Sequence, residues 1–279
     1  MEMIKIDPKS HTEVSRFFQG YAWNYVPDAI LEGTMGEVYV DDEDRPQIVV
    51  LAVPNLELNI ISGDAKKPAV RKFLEELPAP KILILACGGL EESLREMHPG
   101  RLIYLERYAF TSEKLDVQYL NDLKSELADG YRLRKIDLEI ALQLAAEDSE
   151  FAAEHMLNFD SPQDFIHRGF GYCILREDEI VSVATTFAIC KKGIEIQINT
   201  RKEYQGRGLA TVVAAQLVIH SLENNLDPNW DAANKPSVGL AKKLGYTPAG
   251  TYSMIVLARS RWRAVLGAAI FKIQGLLQN

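Results

Sequence analysis

Two glycines flanking one arginine, in the run Gln205-Gly206-Arg207-Gly208-Leu209-Ala210, stand between an alternating apolar segment, Ile194 to Thr200, and a long aliphatic run that begins at Leu209. A strand, a glycine loop and a helix start, in that order, make an anion cradle. Amides at a helix start have no intrahelical acceptor and lie at the positive end of the macrodipole, so a phosphate is held there without side-chain charge. Gly206 and Gly208 let the backbone approach it closely. Arg207 reads equally well as an outer charge for that anion or as a solvated loop arginine. A glycine pair alone is a weak signal, and its context narrows it. Thr211 stands where a dinucleotide-binding loop needs a third glycine, and only about 70 residues follow, too few for the rest of a doubly wound sheet. No Gly-Lys-Ser/Thr opens the helix, so the P-loop reading fails as well. On the strand before the loop, the side chains of Glu195, Gln197 and Asn199 share one face. If that face looks into a pocket, Glu195 could take a proton from a bound group through a water; the alternative is a surface or salt-bridging glutamate.

After the cradle come Asn229-Trp230-Asp231-Ala232-Ala233-Asn234, a helix opened by Pro236, and Lys242-Lys243-Leu244-Gly245-Tyr246. The order Gln-x-x-Gly-x-Ala, then Asn-x-x-Ser with Leu-Gly-Tyr downstream, resembles the GNAT superfamily of acyl-CoA-dependent N-acyltransferases. The resemblance covers about Tyr131 to Ala258, and together with Phe165 to Tyr172 it looks most like the branch that includes the zwittermicin A resistance acetyltransferases. It implies acetyl-CoA as donor, its pantetheine arm beside the strand that ends at Ile198-Asn199-Thr200, with a free N–H near Ile198 to polarise the acyl carbonyl. It places the diphosphate on the backbone from Gln205 through Gly206, Arg207, Gly208 and Leu209 to Ala210. Asn234 matches the family asparagine that hydrogen-bonds the cofactor arm, and it is also a good helix N-cap; Ser237 is a weaker candidate for the same wall. Many members place a tyrosine seven residues after that asparagine to protonate the departing thiolate, and here the position is Ala241. No general acid is therefore assigned, although a thiol of pKa roughly 8.5 leaves tolerably without one. The acceptor the resemblance implies is a primary amine on a small molecule, such as an aminopolyol or amino sugar. A CoA-binding regulatory or scaffolding protein that has lost the catalytic step is the competing reading.

The elements that must position these residues form an α/β chain of the α+β kind. Residues 129–258 read as a GNAT unit with a mixed, mostly antiparallel sheet flanked by helices. Tyr172 to Leu175, Ile180 to Ala188 and Ile194 to Thr200 make a meander, and the crossover through the helix from Leu209 predicts a parallel last pair that opens a cleft. Residues 1–128 read as an N-terminal α/β domain, a degenerate copy of the same unit, with strands at Gln47 to Val53, Lys81 to Ala86 and Leu102 to Ala109. The turn Asp129-Gly130 marks the boundary. Residues 259–279 place Trp262, Val265, Leu266, Ala269, Ile270 and Ile273 at helical spacing. That helix is too short and too charged to span a bilayer and is expected to dock on the N-terminal half or on a second subunit of a homodimer, with a membrane-surface helix as the other reading.

Composition limits the partners. The 279 residues carry a formal net charge of −8, which argues against a general nucleic-acid surface. Glu147, Asp148, Glu150, Glu154, Asp160 and Asp164 crowd the segment that would build the acceptor pocket and would favour an ammonium, though a solvated acidic face explains each one separately. Three widely spaced cysteines and five histidines show neither a disulfide framework nor metal-ligand spacing. The polar start, with no long apolar stretch behind it, predicts no signal peptide and a cytoplasmic protein.

Overall fold

A computed structural model describes residues 2–147, 149, 151, 152 and 155–265. Asp148, Glu150, Glu154 and most of the expected terminal helix lie outside the described residues.

In chain order the elements are β1 (Ile4–Ile6), α1 (Val26–Leu31), β2 (Glu37–Val40), β3 (Ile48–Val53), β4 (Leu58–Gly63), α2 (Pro68–Glu75), β5 (Lys81–Leu85), α3 (Leu90–Met97), β6 (Leu102–Thr111), α4 (Val117–Lys124), β7 (Tyr131–Lys135), α5 (Leu138–Ala146), α6 (Pro162–Arg168), β8 (Gly171–Arg176), β9 (Glu179–Ile189), β10 (Gly193–Thr200), α7 (Leu209–Glu223), β11 (Asp227–Ala232), α8 (Lys235–Leu244) and β12 (Thr247–Leu257). Local chemistry fixes the helix starts. Asp116, Asp137, Ser161 and Asn234 each cap a helix by accepting a hydrogen bond from a first-turn amide. Pro162 and Pro236 stand where a missing N–H costs nothing.

All strands of the described residues join one mixed sheet in the order β1-β2-β3-β4-β5-β12-β6-β11-β10-β9-β8-β7. Its arrangement is quasi-symmetric about the centre. β4 runs parallel to β5, and β10 runs parallel to β11. Each of these parallel pairs is then continued antiparallel by a strand from the other half of the chain, β12 beside β5 and β6 beside β11. β6 and β12 pair with one another along nearly their whole length, from Thr247↔Thr111 to Leu257↔Leu102. The halves thus exchange strands, and separating them would expose unpaired backbone at the middle of the sheet. Residue 129 lies in the turn between α4 and β7.

Apolar side chains alternate to both faces. In the first half, Leu51, Ile60 and Val38 meet Phe18, Val26 and Ile30 on one face, while Ile48, Ile61 and Leu83 meet α2 and α3 through Val70, Leu74, Leu90 and Leu94 on the other. In the second half, α7 is apolar around most of its circumference because it is enclosed, packing on β8, β9 and β10 and on α4 and α8. That burial fixes the position of its N-terminus, and with it the glycine loop.

Candidate active site

β10 and β11 are registered at Gly193↔Asp227, Ile194↔Pro228 and Glu195↔Asn229, and no further pair follows. β10 meanwhile stays paired with β9 to Thr200, and β11 with β6 to Ala232. Two strands held by their outer neighbours but not by each other form a wedge, with its vertex at Glu195 and Asn229. The backbone of residues 196–200 has no β11 partner in it, so a strand-like ligand arm could pair there. A bulge in β9, where Phe187 is skipped between Ala188↔Glu195 and Thr186↔Ile196, bends the sheet at the same level.

Gln205 to Ala210 lie at the open end of the wedge. Gly206 and Gly208 hold φ of +74° and +80°, and Gly208 caps α7 in the left-handed region. No hydrogen-bond acceptor among the described residues meets the amides of residues 206–210. A Cβ at either glycine would meet no heavy atom within 4 Å, so the loop surrounds open space. Arg207 is held back on its own loop: its guanidinium donates to Glu203 O at 3.0 Å and Tyr131 Oη at 3.2 Å and lies over the Tyr204 ring. Gln205 donates from Nε2 to Thr200 O at 3.2 Å and ties the loop to the strand. The matching place in the first half is self-satisfied. There the Lys66 amide donates to the Asp64 carboxylate and the Lys67 amide to Asp64 O, and Pro68 opens α2 without an N–H. The parallel pair beside it stays joined to Ile61↔Leu85, the last residue of β5, so no comparable wedge opens.

At the vertex Glu195 is 6% exposed. Its Oε1 accepts from the Tyr25 amide at 2.5 Å and from Asn229 Nδ2 at 2.9 Å, and Oε2 is 3.1 Å from the same Nδ2. Burial pushes its carboxyl up to about 8; the Asp231 carboxylate acts the same way, against the hydrogen bonds from Tyr25 and Asn229 and the Arg107 charge. Asp231 is paired to Arg107 at 2.9 Å and accepts from Tyr252 Oη at 2.7 Å. Asp227 accepts from Tyr25 Oη at 2.7 Å and from Ser112 Oγ.

The remaining expected residues divide. Ile198 packs toward α7, Asn199 donates to Phe151 O at 3.2 Å, and Thr200 shares a hydrogen bond with Ser182 Oγ at 2.8 Å. Asn234 caps α8 through the Ser237 amide at 2.9 Å, and Ser237 Oγ accepts from the Trp230 indole at 3.2 Å, so both already have partners. Ala241 is fully buried against Phe110, Trp230 and Leu244. Its side chain points into the core, which explains why no tyrosine stands there. Ala241→Tyr is expected to lower stability by about 1–3 kcal/mol through overpacking, read as a lower urea midpoint with no gain in turnover. A variant as stable as the parent and faster would show instead that position 241 reaches the wedge.

Sequence reasoning missed the first-half contribution. Tyr21, Trp23, Asn24 and Tyr25 lie over the vertex: Trp23 stacks on Tyr252 at 5.2 Å, and Asn24 Nδ2 donates to Tyr21 Oη and Tyr252 Oη. Gly250 holds φ of +145° beside the Trp23 ring, a conformation that a residue with a side chain rarely adopts. The dense run Tyr-Ala-Trp-Asn-Tyr was the available signal. The acidic cluster does less than its sequence suggests. Glu147 is paired to Arg201 and Asp164 to Arg168. Concavities of about 270 and 400 Å³ are lined by neither Glu195 nor the glycine loop, the first lying beside Tyr21, Pro27 and Lys192 and the second beside Gly36, Asn55 and Arg168.

A family model described as GNAT acetyltransferase matches residues 15–255, far more than the span from Tyr131 to Ala258 that carries the resemblance in sequence. The chain is similar to a Bacillus subtilis (strain 168) protein named uncharacterized N-acetyltransferase YdfB, 27% identical over 236 residues that cover 81% of this chain and 87% of that one. Among solved structures it is similar to a GCN5-related N-acetyltransferase-like protein from Streptococcus suis 89/1591. That structure is 28% identical, with a TM-score of 0.77 and coverage of 89% of this chain and 98% of its own. A tandem GNAT protein from the clavulanic acid biosynthesis pathway shares the fold at 11% identity, with a TM-score of 0.59 over 91% of this chain and 96% of its own.

Proposed function

The chain belongs to the GNAT acetyltransferase family, and from that premise we propose that it moves an acetyl group from acetyl-CoA to a primary amine of a small molecule by direct attack on the thioester. The observation that carries this reading is the row of acceptor-free amides from Gly206 to Ala210 at the mouth of the β10–β11 wedge. Such a row suits a diphosphate, and the open space at Gly206 and Gly208 leaves room for it. The thioester, when bound, supplies an activated acyl carbon. The unpaired strand edge from Ile198 to Thr200 would hold the arm and offer an N–H to the carbonyl oxygen. Glu195 is the base: as the C–N bond forms and the C–S bond breaks, its carboxylate draws the amine proton through a water. In this reading residues 129–258 bind the donor, and residues 1–128 are a degenerate second unit whose Tyr21 to Tyr25 segment closes the acceptor side.

Release of free thiol from acetyl-CoA across a panel of amines tests the proposal. The branch resemblance puts aminopolyols and amino sugars first in that panel. Acceptor-dependent thiol release is the expected result; tight CoA binding in calorimetry with no release for any amine would overturn it.

A further inference from the structure

The carboxylate at the vertex belongs to the second half of the chain, yet the shortest hydrogen bond it accepts comes from the first. Among the described residues only the Tyr25 amide, at 2.5 Å, and Asn229 Nδ2, at 2.9 Å, donate to Glu195. Tyr25 is held in place by its neighbours. Its Oη donates to Asp227 at 2.7 Å, and its carbonyl accepts from the Ala29 amide as α1 begins. Its ring lies against Gly193, where a Cβ would come within 2.6 Å of a ring carbon, so any side chain at 193 would displace it. Gly193 and Asp227 are the first registered pair of β10 and β11, and Tyr25 braces both of them. α1 and the residues after it are in turn fastened to the turn between β9 and β10. Thr34 Oγ1 donates to Ile189 O at 2.8 Å, the Lys191 amide to Glu32 at 3.0 Å, and Lys192 Nζ to Asp28 at 2.7 Å. A donor moored in this way meets the carboxylate at one place and direction.

We propose that Tyr25 is a positioning residue, through which the first half lends the second the main-chain N–H that keeps Glu195 able to ionise at the wedge. A hydrogen bond to the charged form favours that form, whereas burial and nearby negative charge oppose it. Burial and the Asp231 carboxylate both push this carboxyl up. The groups around it bring no surplus positive charge. Arg107 is paired to Asp231, Asp227 is a further carboxylate, and the phenols of Tyr21, Tyr25 and Tyr246 and the Cys190 thiol are pushed up by burial and stay neutral. Ionisation is therefore left to the hydrogen bonds and one shared guanidinium. Asn229 divides its Nδ2 between both carboxylate oxygens and Trp23 O at 3.4 Å, while the Tyr25 amide is given to Glu195 alone. The inference rests on the reading of Glu195 as the base. It gives residues 1–128, whose own loop at Asp64 is self-satisfied, a part in the chemistry.

The test exchanges the Tyr25 amide for an ester, by placing the α-hydroxy acid counterpart of tyrosine at that position in the full chain. Ring, hydroxyl and carbonyl stay, and only the N–H goes. The readout is the carbon-13 titration of the Glu195 carboxyl, identified as the signal lost in Glu195→Gln. Expected is a midpoint about one pH unit or more above the parent's, the size of one hydrogen bond to a charged group. At pH 7 kcat/KM should fall about tenfold with the ionised fraction. The same exchange at Ala22, an exposed residue whose amide meets no acceptor among the described residues, should leave the midpoint in place. Tyr25→Phe keeps the N–H but removes its mooring to Asp227, and should move the midpoint the same way by less. Melting at pH 5, where Glu195 is protonated with or without the donor, checks that each variant folds. An unmoved midpoint in the ester variant overturns the proposal; should that variant not fold, an unmoved midpoint in Tyr25→Phe does so. A downward shift also overturns it, since the segment would then be a cover that keeps water from the carboxyl. A chain that acetylates no amine while its midpoint moves upward would remove Glu195 from catalysis and leave the positioning by Tyr25 standing.

Discussion

Glu195→Gln is expected to lower kcat/KM by about a hundredfold or more, and to remove from the pH–rate profile the rise that the Glu195 carboxyl contributes. In the parent only the ionised carboxylate can take a proton, and burial holds this carboxyl up to about 8. The rate should therefore climb as pH rises through that value and level off above it. The same substitution should affect stability in the opposite sense. Folding moves the Glu195 pKa from an ordinary 4.5 to about 8, so between those values the folded state binds the extra proton. The contribution of Glu195 to stability is then fully present below about 4.5 and is lost progressively as pH rises through about 8. Glutamine cannot ionise, and its carbonyl can still accept from the Tyr25 and Asn229 groups. The variant should match the parent near pH 5 and melt several degrees higher above pH 8, a gap on the order of a few kcal/mol. Lost activity with gained alkaline stability is what distinguishes a strained base from a structural salt-bridge partner. A variant with an unaltered pH–rate profile would remove Glu195 from the chemistry, and one that melts lower at pH 8.5 would show that its carboxylate stabilises the fold.

The local half of this structure was legible in the sequence because local signals carry it. α3 and α5 occupy Leu90–Met97 and Leu138–Ala146 with the buried residues of each at helical spacing, and Asp137 caps the second. The meander and the parallel crossover to β11 likewise follow from alternation and turn residues. Strand exchange was not legible. β12 carries Pro248, Gly250 and several exposed positions, so it lacks a clean two-residue alternation, and nothing local tells β6 to lie against β11 and not against its own half. Pairing partners more than a hundred residues apart are set by the packing of both halves together. The candidate site divides the same way. Its glycine loop is contiguous and was readable, whereas Tyr25 reaches Glu195 across 170 positions of chain. The carboxylate's burial, and with it the direction of its pKa, could be known only once that contact was seen.

The cradle admits an equally sharp test, because the chain contains its own control. Gly208→Val is expected to raise the Kd for CoA and the KM for acetyl-CoA about ten- to a hundredfold, with kcat at saturation little changed, since the diphosphate contacts serve ground state and transition state alike. Two effects are combined in that substitution. At φ of +80° a β-branched residue is strained by about 1–2 kcal/mol whatever surrounds it, and its methyl groups would stand where the anion has to meet the amides. Gly130 separates them. It sits at φ of +82° in the turn before β7, and a Cβ there also meets nothing within 4 Å. Gly130→Val should therefore melt lower by about as much as Gly208→Val while binding CoA like the parent. If both variants lose the same stability and neither loses affinity, the loop from Gln205 to Ala210 is a turn and nothing more. If only Gly208→Val loses affinity, the amides that the fold leaves without acceptors are the ones that hold the donor, and the burial of α7 is what keeps them in place for it.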